Sequence, residues 1–203
     1  MDYGLKRLGI TPVITDDPET IRKADKVLFP GQGEAGTTMK YLRERRLDSL
    51  ICGLKQPVLG ICIGMQLMCR YSEEGNTECF GIFDTEVKRF IPQRHEDKVP
   101  HMGWNSLTCM RGALFEKPME KSAQMASNQL TATGASFEKL PENPYVYFVH
   151  SYYVPVTNDT TAVSDYIHPF SAAMQKGNFF ATQFHPEKSG RIGEVILKNF
   201  IDL

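Results

Sequence analysis

Between Lys26 and Tyr71 the chain twice runs from a short apolar segment, through a turn containing glycine, into a stretch with helical spacing. Lys26 to Phe29 has the composition of a buried strand and ends in Pro30-Gly31-Gln32-Gly33; Met39, Leu42, Leu47, Leu50, Ile51 and Leu54 then recur at helix period. Pro57 to Ile61 predicts a second strand and Gly64 to Tyr71 a second helix. Helical crossovers bring the chain back to start each strand in the same direction. The order therefore predicts an α/β protein with a mostly parallel open sheet flanked by helices. The second half is richer in strands: Ile82 to Phe90, Tyr145 to His150, Tyr152 to Val156, Thr161 to Asp165, Ala172 to Gln175 and Phe179 to His185. These predict a small antiparallel annex. A closing helix follows, with Ser189 as its expected N-cap and Ile192, Val195, Ile196, Phe200 and Leu203 as its apolar stripe.

The 203 residues suit one domain spanning 1–203. Arg94 to Lys98 reads as a solvated turn, and Lys117 to Pro144, rich in Ser, Ala, Thr, Glu and Lys, as a surface excursion. Lys plus Arg number 23 against 24 Asp plus Glu, a formal charge of −1, which gives no basic footprint for nucleic acid or an anionic membrane. The longest apolar run, Val58 to Met65, falls far short of the roughly 20 residues that span a bilayer. Met1 to Ile10 carries Lys6, Arg7 and two glycines where a signal peptide has an apolar core. A cytoplasmic protein acting on a small neutral substrate or a protein partner is expected. The five cysteines include no CxxC pair and predict free thiols.

Among them Cys62 alone stands in surroundings that suggest chemistry. Gly60-Ile61-Cys62-Ile63-Gly64 lies where a strand meets a helix, with glycine two residues before and two after the sulfur. A nucleophile on such a sharp turn needs small flanking residues, because larger side chains would strike the turn. Unpaired N–H groups at a helix start favour the thiolate. Alone, the pentapeptide reads equally well as a core cysteine in a glycine-rich turn. Gln183-Phe184-His185-Pro186-Glu187 supplies a proton acceptor: in an extended chain His185 and Glu187 face the same side, and Pro186 holds the residue before it extended. A carboxylate beside imidazole selects its tautomer and stabilises the imidazolium. The competing reading is a strand-end histidine paired with a surface glutamate. For a developing oxyanion, Ile63 N–H is one donor and Pro30-Gly31-Gln32-Gly33 could bring a second, although a plain turn accounts for that tetrapeptide equally well. Gln66, one turn after Cys62, is either a surface amide or one lining a pocket beside the thiol.

Together with Pro100-His101-Met102-Gly103-Trp104-Asn105, Tyr147-Phe148-Val149-His150-Ser151-Tyr152-Tyr153 and Gln183 to Gly190, these residues resemble the class I (triad) glutamine amidotransferases, and within them the glutaminase subunits of imidazole glycerol phosphate synthase. The resemblance covers nearly the whole chain and implies a flavodoxin-like core. It implies that Cys62 attacks the glutamine side-chain amide, that His185 passes a proton to the leaving ammonia and that Glu187 orients His185. A γ-glutamyl thioester would form and water would release glutamate. Gly33, Gln66, His150, Ser151 and Tyr152 would hold glutamine, and Gly31, Gln32, Gly33 and Ile63 would form the oxyanion site, with no cofactor or metal. The ammonia would pass to a (β/α)₈-barrel cyclase subunit in a heterodimer serving histidine biosynthesis. His101, Met102, Trp104, Asn105 and Lys188 would lie near that interface, and a lone tryptophan beside Met102 suits an interface anchor, although a core tryptophan is commoner.

Three departures from the family pattern set further expectations. Family members begin with a strand before the helix that here starts near Asp2. That strand is central in a doubly wound sheet, so either an open slot in the sheet or a start placed too late is expected. Gln32 stands where the family carries a small apolar residue, and the 117–144 excursion is longer than the family norm. Two other functions fit part of the pattern: a glutaminase subunit for another synthase, such as one making anthranilate or pyridoxal phosphate, and a catalytically inactive domain that regulates a partner. Met102 to Asn105 favours the cyclase-linked reading, and an intact Cys62, His185 and Glu187 oppose the inactive one.

Overall fold

The computed structural model describes residues 2–31, 33–116 and 140–203; Gln32 and residues 117–139 of the expected excursion lie outside the described residues. Two short helices come first, α1 (Asp2–Arg7) and α2 (Pro18–Lys23), the second capped by the Asp17 carboxylate. β1 (Val27–Pro30) leads into α3 (Ala35–Glu44) and α4 (Leu47–Gly53), and β2 (Val58–Ile61) into α5 (Ile63–Leu67). The single helix expected across Met39 to Leu54 is two, because Arg46 adopts a left-handed backbone with φ 56° and turns the chain. α5 stops after five residues instead of running to Tyr71. Leu67, Met68 and Cys69 are all fully buried, and the chain straightens there into β3 (Cys69–Ser72), where Cys69 pairs with Phe83.

β3 pairs with β4 (Thr77–Glu78) and β5 (Phe83–Arg89). β6 (His101–Ser106) and β7 (Tyr145–His150) form a separate antiparallel ribbon, and the short β8 (Tyr152–Tyr153) joins the edge of β5. β9 (Thr160–Tyr166), β10 (His168–Lys176) and β11 (Phe179–Thr182) then precede α6 (Gly190–Ile201). The main sheet has the order β1-β2-β11-β10-β9. Within this sheet parallel pairing is confined to β1, β2 and β11, while β10 and β9 continue it antiparallel. The strands expected to form one antiparallel annex are instead divided among three sheets: β9, β10 and β11 join the main sheet, with β11 parallel to β2; β7 lies in the ribbon; and β5 and β8 join β3 and β4, with β5 parallel to β3. The slot expected inside the sheet takes another form: among the described residues no strand pairs with the outer side of β1, and Val13 and Ile14 are exposed.

β2 is buried on both faces, as a central parallel strand must be. Val58 points into a core with Met39, Leu42, Leu50, Ile51 and Leu54 from α3 and α4 and the turn that follows. Leu59 and Ile61 point into the opposite core with Phe180, Phe184, Ile196, Leu197 and Phe200, closed by α6. Ladder register then decides where chemistry can occur. Pro30, Ile61 and Thr182 are aligned at the carboxyl ends of β1, β2 and β11, so Gly31, Cys62 and Gln183 leave the sheet along one edge. Crevices of open parallel sheets lie at that edge. Among the described residues, no helix is long and apolar enough to cross a membrane.

Candidate active site

Cys62 occupies a backbone conformation that side chains avoid, with φ 55° and ψ −112°. Cys62 N donates to Thr182 O at 2.8 Å, the last rung between β2 and β11, and the chain then turns at once into α5. The flanking glycines are sterically required: a Cβ on Gly60 would come within 2.8 Å of Gly64 O, and one on Gly64 would collide with the Phe29 carbonyl. Val149 O and Gln183 Nε2 each lie 3.8 Å from the sulfur. Burial pushes the Cys79 pKa up to about 11 and drives that of Cys69 higher still. All five cysteines are free.

His185 Nδ1 lies 2.9 Å from Glu187 Oε1, and both side chains are largely buried. Their meeting depends on a turn as well as extended backbone: His185 is extended, but Pro186 opens a single 3-10 turn over Pro186–Lys188 that swings Glu187 back. Ser189 is 2 % exposed and makes no side-chain cap on α6. Its hydroxyl instead donates to His185 O at 2.7 Å and accepts from Tyr147 N at 3.0 Å, tying the turn to β7. His185 N also donates to Tyr147 O at 2.9 Å. Because Nδ1 faces the carboxylate, it carries the proton and leaves Nε2 for Cys62. Nε2 is buried with no neighbour at full hydrogen-bond length. Burial disfavours the imidazolium, but the nearby Cys62 sulfur and the Glu187 carboxylate outweigh it and raise the His185 pKa to about 9. Burial likewise resists charge on Glu187, and the hydrogen bond and charge of His185 more than offset that, holding its pKa below the usual carboxylate value.

The structure therefore brings Cys62, His185 and Glu187 together at the ends of two adjacent strands. Ile63 opens α5, so its N–H has no acceptor within the helix. Gly31 N donates to Ile61 O at 3.3 Å and is not free for an oxyanion, while Gly33 has φ 102°. Gln66 is buried, and its Nε2 is shared between Tyr152 O and Gln183 Oε1, both at 3.0 Å. His150 is buried, with Nδ1 2.7 Å from Tyr152 O and Nε2 3.0 Å from His101 Nδ1. Ser151 and Tyr152 remain partly open, and Ser151 O accepts from Phe90 N.

The expected partner surface divides. Met102 is 63 % and Trp104 56 % exposed on the outer face of the ribbon, where Trp104 meets Tyr147 edge-on and Lys188 lies over the Tyr147 ring. Asn105 is half-buried. His101 is only 4 % exposed, because alternate residues of a strand face opposite sides and Met102 takes the outer one. It is a core residue, stacked between Tyr166 and Phe148. Two further polar groups escaped the motif reading. Gln183 owes its place to its register with Cys62 at the sheet edge. Glu74 accepts from Ala35 N at 2.9 Å beside Glu34, which caps Gly36 and Thr37, so two carboxylates crowd the start of α3 just after the glycine loop. Burial and the charge of Glu34 raise the Glu74 pKa, against the pull of its bond to Ala35.

Residues 5–203 match the family model described as glutamine amidotransferase class-I. A protein of Bacteroides fragilis (strain YCH46) named imidazole glycerol phosphate synthase subunit HisH is 56 % identical over 203 residues, covering 100 % of this chain and 92 % of that relative. Proteins of the same name from Bacteroides thetaiotaomicron and Yersinia pseudotuberculosis are 57 % and 41 % identical, covering 92 % and 91 % of those relatives and 100 % and 99 % of this chain. Among solved structures, one titled a glutamine amidotransferase superposes with a TM-score of 0.66 at 16 % identity, covering 99 % of this chain and 90 % of that one. A glutamine amidotransferase from Thermotoga maritima gives 0.55 at 16 % identity, covering 98 % of this chain and 74 % of that one.

Proposed function

Because the chain belongs to the class I glutamine amidotransferases, we propose that it is the glutaminase subunit of an imidazole glycerol phosphate synthase, supplying ammonia to a partner cyclase subunit in histidine biosynthesis. One observation carries the mechanism: Cys62 and His185 leave neighbouring strands at the same sheet edge, with Glu187 on the far nitrogen of the imidazole. The sulfur attacks the side-chain amide carbon of glutamine. As the tetrahedral intermediate collapses, the C–N bond breaks, His185 gives its proton to the departing nitrogen, and ammonia leaves a γ-glutamyl thioester. His185, now neutral, takes a proton from water, which attacks the thioester and releases glutamate and the sulfur. Glu187 holds the tautomer and steadies the imidazolium through both steps.

Ile63 N–H is the oxyanion donor available as the chain stands. Gly31 N–H joins it only by giving up its bond to Ile61 O. The exposed Met102 and Trp104, with Lys188 nearby, form the surface on which a (β/α)₈-barrel cyclase would dock, and His101 and Asn105 lie on the inner side of the ribbon beneath it. The reading places the protein in the cytoplasm, with no cofactor of its own. Glutamate release is measured for the chain alone, with a cyclase, and with the cyclase plus its ligand. Release is expected only with intact Cys62 and to rise with the liganded cyclase. A Cys62→Ala variant that still hydrolyses glutamine refutes the mechanism, and a cyclase that fails to co-purify refutes the partner.

A further inference from the structure

A single hydrogen-bonded chain runs from the inner face of the β6–β7 ribbon to the sulfur of Cys62, and its polarity is fixed at every link. The Tyr152 carbonyl can only accept, so His150 Nδ1, 2.7 Å away, carries the proton and His150 Nε2 the lone pair. His101 Nδ1, 3.0 Å from that lone pair, must then be protonated, which leaves His101 Nε2 as an acceptor facing Asn105 Nδ2 at 3.4 Å. The same Tyr152 oxygen accepts from Gln66 Nε2, whose other hydrogen goes to Gln183 Oε1. Gln183 is thereby forced to present Nε2, a donor, to the sulfur at 3.8 Å. Reversing any ring or amide would set two donors or two acceptors against each other in a buried space, since His101, His150, Gln66 and Gln183 are all buried.

We propose that His101 and His150 are positioning residues for the nucleophile: they hold in place the Tyr152 carbonyl that orients the Gln66 amide, so that Gln183 turns its Nε2 donor, not its own carbonyl oxygen, toward the Cys62 sulfur, whose other polar contact is Val149 O. The inference rests on Cys62 being the nucleophile. Burial holds the His150 pKa down near 3 and the His101 pKa down near 4, so both rings stay neutral, and the chain intact, at pH 7.

The alternative is that His101 only fills space between Tyr166 and Phe148. The two roles rank a pair of substitutions in opposite order. His101→Asn keeps a donor where Nδ1 stood, and His101→Leu places a methyl there; packing prefers Leu, the hydrogen-bonded chain prefers Asn. The full-length protein is treated with iodoacetamide at pH 7, and modification is followed on the Cys62 peptide by mass spectrometry, with thermal melts run in parallel. Alkylation is expected about tenfold slower in His101→Leu and within about threefold of the parent in His101→Asn. A Leu variant alkylated as fast as the parent, or an Asn variant as slow as the Leu one, overturns the proposal. If the His101 pair does not fold, the same pair at His150, where Asn again retains a donor to Tyr152 O, gives the same ranking. The readout needs no glutamine, so this inference can fail while glutamate release that is lost in Cys62→Ala still supports the glutaminase reading.

Discussion

Replacing Glu187 by Gln keeps the shape of the turn and removes the negative charge 2.9 Å from His185 Nδ1. In the intact protein the imidazole pKa is raised from 6.5 to about 9 against the effect of burial, by Cys62 and by Glu187 together. At about 1.36 kcal/mol per pH unit, that rise is worth about 3 kcal/mol of preference for the imidazolium in the folded state. A raised pKa stabilises the fold fully below the unfolded value near 6.5 and ceases to do so as pH climbs through about 9. Urea unfolding should therefore show the parent losing about 2–3 kcal/mol between pH 6 and pH 9.5 beyond what Glu187→Gln loses over the same span. Comparing the two proteins cancels the other groups that titrate there. A proton NMR titration of the His185 ring should place its midpoint well below 9 in the variant, and kcat for glutamate release should fall by about 10²- to 10⁴-fold. A ring that still titrates near 9, or parallel pH–stability curves, would show that Glu187 does not set the charge on His185.

Cys62→Gly should raise Tm by a few degrees while abolishing activity, because glycine accepts φ 55° and ψ −112° and relieves about 1 kcal/mol or more of backbone strain; a lower Tm in calorimetry refutes the strained-elbow reading. Ser189→Ala should cost about 1–3 kcal/mol in urea unfolding, by leaving Tyr147 N and His185 O without their shared hydroxyl, and should lower kcat more than it alters KM. A loss confined to helix content would support a capping role instead. Trp104→Ala should leave stability within about 0.5 kcal/mol, since the ring is mostly exposed, yet weaken cyclase binding by about 2 kcal/mol or more in calorimetric titration; unchanged affinity removes Trp104 from the docking surface.

Local sterics made the elbow legible. Gly60 and Gly64 are set by what stands within a few residues of Cys62, and the spacing alone carries that constraint. The strands of the main sheet were legible for a similar reason, since Val58 to Ile61 is apolar at every position and so must be covered on both sides. The span from Gly64 to Tyr71 was not, because tertiary contacts pull Cys69 into a strand beside Phe83 and override its helical spacing. Strand alternation also tells apart the residues expected near the partner interface: His101 and Met102 cannot share a face, and His101 is the buried one. Ser189 shows the opposite limit. Its partner Tyr147 lies 42 residues away, and no local rule distinguishes a hydroxyl that caps from one that staples.

The strand beside β2 on the side of His185 is β11, and Gln183 stands 121 positions along the chain from Cys62. During synthesis, Val58 to Ile61 emerges long before the segment that pairs with it, so until then the strand has an open edge on that side. Closing so distant a parallel pair is also slow. Until β11 has docked beside β2, His185 cannot stand next to Cys62, so the pairing at the sheet edge forms only after both strands are made.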